Sequence, residues 1–284
     1  MENLKDIVVI YHAECSDGFG AAYAAWKKFG DSASYLPRKT QDPVPEGLTG
    51  KEIYIVDYSY KKPYLDKLMA ENKSVVVIDH HESAESAVRS FSQNVFDKEH
   101  SGAVLSWMYF HPDTPVPKLL LHVEDHDLWR FRMEHHREFG AALGEYSRDF
   151  ETWDQLNDNF ENKELFDSFL RHGAVIAGFE DKLIEKILTF REKVLFEGFP
   201  VYAVNAERIY RSILGHKLAV INKEEGREPF GIVYYRYDGM VHCSLRGNDG
   251  FDVRTLAEKH GGGGHKTAAS IRVPDWNSLP FKYL

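Results

Sequence analysis

Residues 75–81 read Val-Val-Val-Ile-Asp-His-His and join an apolar run to three ionisable side chains. A short run of β-branched residues predicts a buried strand, and an apolar strand rarely ends in three ionisable groups without a function. Residues 7–11 and 53–56 have the same apolar character and are followed by His12 and Asp57. Helical patterns separate these runs. Apolar strands that alternate with helices predict an α/β fold with a parallel sheet covered on both faces.

Three segments supply imidazole and carboxylate groups directly after these strands. In chain order the segments contribute His12 and Asp17, then Asp57, and then Asp79, His80 and His81. In an open parallel sheet, residues beyond the carboxyl ends of the strands meet in one crevice. Neutral imidazole mixed with carboxylate suits manganese, iron, zinc or similar ions. A pair of such ions activates water and clamps a phosphoryl group, so we expect a two-metal phosphoesterase site.

Each of these groups, taken alone, has a structural explanation. A single Asp at the end of a strand is usually a turn former or a helix cap, which applies to Asp57 and to Asp17 before Gly18. It is the convergence of the segments that favours metal binding, with Asp57 as the candidate for a bridging ligand. A fourth segment, residues 124–130, offers Asp125 or Asp127 to complete the site. The other would then orient a ligand, and a solvated turn with a helix cap is the alternative for both.

The C-terminal region carries a possible anion site. Residues 231–237 and 240–245 predict a β-hairpin closed by Asp238-Gly239. Four consecutive glycines, residues 261–264, precede His265 and let backbone N–H groups approach an anion, although a flexible surface loop has the same composition. Arg246 follows the hairpin and can bind a phosphate bidentately.

The bulk properties limit the kinds of protein to consider. The chain has 284 residues, 43% of them hydrophobic, and a formal net charge of -9, which argues against a broad basic surface for duplex nucleic acid. Two distant cysteines and the lack of a signal peptide or membrane-spanning run predict a cytoplasmic protein away from membranes. We expect a catalytic domain at 1–165, a helical connector at 166–194 and a smaller α/β substrate-binding domain at 195–284.

Together these motifs resemble the DHH phosphoesterases that have a C-terminal DHH-associated domain, the oligoribonuclease and exopolyphosphatase-related group. The resemblance covers nearly the whole chain and implies a cleft between two domains, with two manganese-type ions in the first. Zinc, iron(II) and magnesium are the alternatives to manganese. By motif, the implied metal ligands are His12, Asp17, Asp57, His80 and Asp125, with Asp127 as the alternative to Asp125. The other implied roles are Asp79 as a ligand or its support, His81 facing the scissile phosphate, and Arg246, Gly262, Gly263, Gly264 and His265 holding the substrate.

Cys15 departs from the family pattern, which usually has an Asp at this place. A metal-bound thiolate would shift the metal preference toward zinc or similar ions. Alternatively, Cys15 is not a ligand, and one of the two ions is held more loosely.

The expected activity is hydrolysis of a short RNA or DNA oligonucleotide or a dinucleotide by a metal-activated water, with His81 and Asp79 as catalytic residues. A homodimer is compatible with this activity. The first alternative is a pyrophosphatase or exopolyphosphatase that cleaves phosphoanhydrides with the same metals. A base-stacking aromatic in the C-terminal domain would favour nucleotides, but the tyrosines at 234, 235 and 237 cannot be placed from the sequence. The second alternative is a nucleotide-binding regulator that has lost catalysis.

Overall fold

The computed structural model describes residues 4–13, 15–39 and 42–284. The chain divides into two compact units, residues 1–177 and 178–284. The division falls inside a single helix, α8, at Lys163–Leu188. The first strand after it begins at Glu192, so the last residues of the expected connector at 166–194 belong to a strand.

A five-stranded sheet forms the centre of the first unit. All four strand pairings are parallel, in the order β2-β1-β3-β4-β5. The strands are β1 (Ile7–His12), β2 (Ala33–Arg38), β3 (Glu52–Val56), β4 (Ser74–Asp79) and β5 (Asn94–Phe96). The predicted α/β fold class with a parallel first sheet is confirmed.

Seven helices belong wholly to the described part of the first unit. They are α1 (Ser16–Phe29), α2 (Lys62–Glu71), α3 (Glu85–Arg89), α4 (Gly102–Phe110), α5 (Lys118–Asp127), α6 (His136–Leu143) and α7 (Phe150–Phe160). Short 3₁₀ turns occupy Gly30–Ser32 and Glu82–Ala84. Val9 of β1 packs in one core cluster, and its neighbours Val8 and Ile10 pack in another. Successive side chains of a strand point to opposite faces, so apolar residues at all three positions bury both faces of the sheet.

The second unit is built on a mixed seven-stranded sheet in the order β10-β11-β9-β8-β7-β6-β12. Its strands are β6 (Glu192–Phe196), β7 (Phe199–Asn205), β8 (Phe230–Tyr237), β9 (Met240–Gly247), β10 (Gly263–His265), β11 (Ala268–Val273) and β12 (Lys282–Tyr283). The unit also contains α9 (Arg211–Glu224), α10 (Val253–Glu258) and 3₁₀ turns at Arg208–Tyr210 and Trp276–Ser278. Asp238 and Gly239 both have positive φ and close the β8–β9 hairpin, as a tight turn of this type requires.

Candidate functional site

The first segment of the site joins the end of β1 to the start of α1. Cys15 caps α1, and its Sγ accepts a hydrogen bond of 3.2 Å from the Gly18 N–H. Asp17 is buried in the first turn and accepts hydrogen bonds from the N–H groups of Gly102 and Ala103 at the start of α4. A Cβ at Gly18 would stand 2.1 Å from the His12 carbonyl oxygen. Only glycine therefore allows α1 to begin this close to the end of β1.

Asp57 follows β3 with a φ of 52°, a left-handed conformation that few residues other than glycine adopt. The residue is 1% exposed. The start of α4 comes so near that a Cβ at Gly102 would lie 2.3 Å from the Asp57 Cβ. The strained turn and the glycine together hold a fully buried carboxylate at the end of the central strand β3.

The residues after β4 form a local hydrogen-bonded unit around Asp79. Its Oδ1 accepts hydrogen bonds from the N–H groups of His80 and His81 and lies 2.7 Å from His81 Nδ1. Its other oxygen, Oδ2, is buried and has no hydrogen-bond partner among the described residues. Asp79 thus orients both histidines, and one of its oxygens remains available for a ligand.

These segments converge on Asp57. Asp57 Oδ1 lies 3.1 Å from His80 Nε2, and Oδ2 lies 3.6 Å from His12 Nδ1 and 3.6 Å from Cys15 Sγ. His80 Nε2 also lies 3.5 Å from Asp17 Oδ2 and 3.6 Å from Asp127 Oδ2. The donor atoms form three overlapping sets, and within each set the atoms lie within 4.8 Å of one another: His12, Cys15 and Asp57; Asp57, His80 and His81; Asp17, His80 and Asp127.

The cluster concentrates negative charge in a buried place. Burial and the charges of Asp57 and Asp127 raise the pKa of Asp17 well above its ordinary value. Burial and Asp57 also raise the pKa of Asp127. For Asp57 itself, burial acts to raise the pKa, but hydrogen bonds with His12 and His80 hold it well below its ordinary range. Bound cations would relieve this repulsion.

In the fourth acidic segment, residues 124–130, the carboxylates of Asp125 and Asp127 make different contacts. Asp125 accepts hydrogen bonds from the N–H groups of Arg132 and Met133, at 2.8 and 3.1 Å. Its carboxylate therefore holds the loop after α5, whereas Asp127 reaches His80. Of the two candidates, the structure brings Asp127 into the cluster and leaves Asp125 outside it. Residues two apart on a helix face different directions, and spacing alone does not say which of the two faces the cluster.

The donor set fits divalent cations. The described residues bring imidazole nitrogens, carboxylate oxygens and one thiol into overlapping sets around Asp57. Asp79 Oδ2 adds a buried oxygen that lacks a partner among the described residues. The ion pairs that the described residues form with Asp17, Asp57, Asp79 and Asp127 involve histidines, which are themselves metal ligands when neutral.

The second unit holds a basic cavity of about 500 Å³ that contains most of the predicted substrate residues. Arg246, Gly263, Gly264 and His265 line this cavity, and Gly262 does not. A Cβ at Gly262 would lie 2.2 Å from the Ser270 carbonyl oxygen, so the glycine serves backbone packing. Burial and the charge of Arg211 lower the pKa of Arg246.

Several residues of this cavity were not predicted from the sequence. Arg208, Arg211 and Arg272 line it, as do Tyr235 and Tyr237. The sequence did contain an indication of this cavity. Arg208 and Arg211 are three residues apart where a helix begins, a spacing that places two side chains on one face. Tyr235 stacks on His242 with ring centroids 5.5 Å apart, whereas the Tyr234 hydroxyl lies instead beside Glu192 and Tyr283.

Comparisons with known proteins agree with this architecture. Residues 202–281 match the DHHA1 domain family. An uncharacterized protein of Acanthamoeba polyphaga mimivirus is 28% identical over 97% of this chain and 69% of its own length. The DHH domain of a member of a ribosomal-protein family has a TM-score of 0.58 and 16% identity, covering 99% of this chain and 83% of that one. The pGpG-specific phosphodiesterase PggH from Vibrio cholerae has a TM-score of 0.56 and 13% identity, covering 95% and 93%.

The fold and the site define a two-unit α/β protein with a candidate divalent-cation centre in the first unit. Residues 202–281 match the DHHA1 domain family and the fold is similar to that of a DHH domain, so the predicted resemblance is confirmed. The roles of the individual site residues stay predictions.

Proposed function

We propose that the chain is a metal-dependent phosphodiesterase that hydrolyses dinucleotides or short oligonucleotides. The observation that carries this proposal is the position of Asp57, which takes part in two of the three overlapping donor sets. One carboxylate between two sets of ligands suits a pair of cations around a phosphoryl group. The family and the fold shared with a phosphodiesterase add support for phosphoester chemistry.

The expected ligands divide into two groups. His12, Cys15 and Asp57 would hold one cation, and Asp17, His80 and Asp127 would hold the other. Asp57 would link the two groups, since its Oδ1 lies 3.1 Å from His80 Nε2. Bound cations lower the pKa of a coordinated water and offset negative charge on phosphoryl oxygens. Manganese remains the expected metal for the second group, whereas the thiol of Cys15 favours zinc or iron(II) in the first.

His81 is the group we expect to contact the phosphate. Asp79 Oδ1 holds its Nδ1 at 2.7 Å, which fixes the ring and leaves Nε2 as the nitrogen for the substrate. The side chain is 43% exposed and lines a small cavity of about 110 Å³ together with His12 and Asp57. It would therefore position the phosphate, or supply a proton to the leaving oxygen.

The second unit favours nucleotides over bare phosphoanhydrides as substrates. Its cavity combines four arginines, at 208, 211, 246 and 272, with the aromatic rings of Tyr235 and Tyr237. Arginines bind phosphate, but aromatic rings offer nothing to pyrophosphate and can stack on a base. This is the discriminating feature between the phosphodiesterase and the pyrophosphatase alternative.

The test is turnover by the wild-type protein and an Asp57→Asn variant. Asparagine tolerates the left-handed backbone at this position and removes the charge, so the variant should fold. We expect wild-type hydrolysis of a linear dinucleotide and a short RNA with Mn²⁺, Zn²⁺ or Mg²⁺. In Asp57→Asn we expect kcat/KM to fall at least about 100-fold.

Asp149→Asn is the matched control, because Asp149 caps α7 outside the cluster and Asn is an equally good cap. Its activity should equal that of the wild type. Pyrophosphate turnover without dinucleotide turnover would replace the proposal with the anhydride alternative. Nucleotide binding without turnover in any metal would instead identify a regulator.

A further inference from the structure

A second cavity of the first unit, of about 390 Å³, opens beside the candidate metal centre. It lies between the start of α1, helix α5 and helix α6. Cys15, Asp17 and Asp127 belong both to its lining and to the candidate metal centre. A group that occupied this cavity would therefore be in reach of a phosphate held at the cluster.

Helix α6 and the residue that follows it line one wall of this cavity, where glycines interrupt the side chains of His136, Phe139 and Leu143. Gly140 and Gly144 are four residues apart, on one face of the helix, and both line the cavity. A glycine inside a helix lowers its stability relative to alanine, so Gly140 calls for an explanation. A Cβ at Gly140 would point to His126, 3.7 Å from its Cδ2, and would occupy the space between the two elements. The wall thus has a gap at Gly140.

The remaining walls are aromatic rings and a few polar atoms. His122 and Phe139 stack in parallel, with ring centroids 4.0 Å apart and planes at 6°. His122 is 4% exposed, and its Nδ1 is buried without a hydrogen-bond partner among the described residues. His126, Trp129 and Arg148 also line the cavity, and Trp129 is half exposed.

We propose that this cavity binds a nucleobase of the substrate, and the proposal rests on the phosphodiesterase function proposed above. A lining of aromatic rings with a gap at Gly140 suits a planar heterocycle, which stacks on its faces and forms hydrogen bonds at its edges. A phosphate suits the cavity poorly, since Arg148 is the one arginine or lysine in its described lining. The cavity thus gives the first unit a nucleoside subsite of its own.

The Gly140→Ala variant tests this subsite without weakening the fold. The added methyl group would meet His126 at an ordinary contact distance and improve the helix, so the melting temperature should not fall. We would measure by calorimetry the binding of AMP and of ribose 5-phosphate, its base-free counterpart, with Mn²⁺ present. Wild-type protein should bind AMP roughly fivefold or more tightly than ribose 5-phosphate, the lower end of what base stacking supplies.

In Gly140→Ala the advantage of AMP should be lost while ribose 5-phosphate binding stays unchanged. Gly178→Ala is the matched control, because Gly178 lies in α8, is exposed, and has open space where the alanine methyl group would stand; it should keep the advantage of AMP. The subsite is refuted if wild-type protein binds AMP no more tightly than ribose 5-phosphate, or if Gly140→Ala weakens both equally. Base-dependent binding without dinucleotide turnover would refute the hydrolytic function and leave the subsite standing.

Discussion

At the scale of single residues, the candidate centre depends on Asp57 and on the glycines that let other elements reach it. A left-handed, non-glycine residue costs on the order of 1–3 kcal/mol, and such strain persists only where the surroundings fix it. Asp57 is held by β3, by His80 and by the close approach of Gly102. The position is therefore maintained at the expense of stability, as is common in sites that bind or react.

Cys15 gives a prediction about the metal itself. Its Sγ lies 3.4 Å from His12 Nδ1 and 3.6 Å from Asp57 Oδ2, so a cation bound by those two groups would also meet the sulfur. Co²⁺ added to the metal-free protein should produce a sulfur-to-cobalt charge-transfer band in the near ultraviolet. Cys15→Asp should abolish this band and lower the preference for Zn²⁺ over Mn²⁺.

Cys243→Ala is the control for the cobalt experiment, because Cys243 is the other free cysteine and is buried in the second unit. The band should persist in this variant. If wild-type protein binds Co²⁺ without the band, Cys15 is not a ligand.

At the scale of elements, the clearest patterns predicted the structure best. The runs that became β1, β3 and β4 are continuously apolar, and they are the segments from which the parallel sheet was predicted. Strand β2 was not predicted, because it contains Pro37, which an edge strand tolerates. Pairing with β1, far along the chain, decides its conformation, and local sequence does not encode such pairing. For a similar reason, the sequence did not predict that Asp127 and not Asp125 joins the cluster, because this outcome depends on the loop after α5.

The packing of α5 on α6 predicts a pH dependence of stability. Burial and then the charge of Lys118 lower the pKa of His122 to about 4. Asp125 acts in the opposite direction, while His135 and His136 add to the lowering. Because unfolded His122 takes up a proton near pH 6.5 and folded His122 does not, stability should fall as the pH drops from 6.5 to 4. The loss would be about 2–3 kcal/mol.

Urea unfolding of the wild type and of His122→Gln, measured at several pH values, would test this. Glutamine does not titrate, so the variant should lose less stability over the same interval. Equal pH dependence in the two proteins would exclude His122 as the source.

At the scale of the whole molecule, two units with separate hydrophobic cores share one chain. One sheet is wholly parallel and the other is mixed, and each has its own buried clusters. The candidate metal centre draws all its ligands from the first unit, and the cavity rich in arginine belongs to the second. In the part of the chain that the structure describes, no helix has the length and apolar character to span a bilayer.

Metal removal should therefore affect the two units unequally. Ions that bind only the folded state stabilise it by about 2.7 kcal/mol when present at 100 times their Kd. For a unit of this size, we expect chelation to lower the midpoint temperature of the first unit's calorimetric transition by roughly 5–10 °C. The midpoint of the other transition should not change. Restoring Mn²⁺ or Zn²⁺ should reverse the shift. A shift of both transitions by the same amount, or of neither, would contradict a centre confined to the first unit.

The ligands of the candidate centre are spread along the chain from His12 to Asp127. These ligands emerge from the ribosome one after another during synthesis, and domains fold as units as they emerge. A nascent chain that has exposed β1, β3 and β4 but not α5 would present the acidic strand ends without Asp127. The first unit would therefore become able to hold both cations only late in its synthesis, once α5 has emerged from the ribosome. At that stage no residue of the DHHA1 domain has yet emerged.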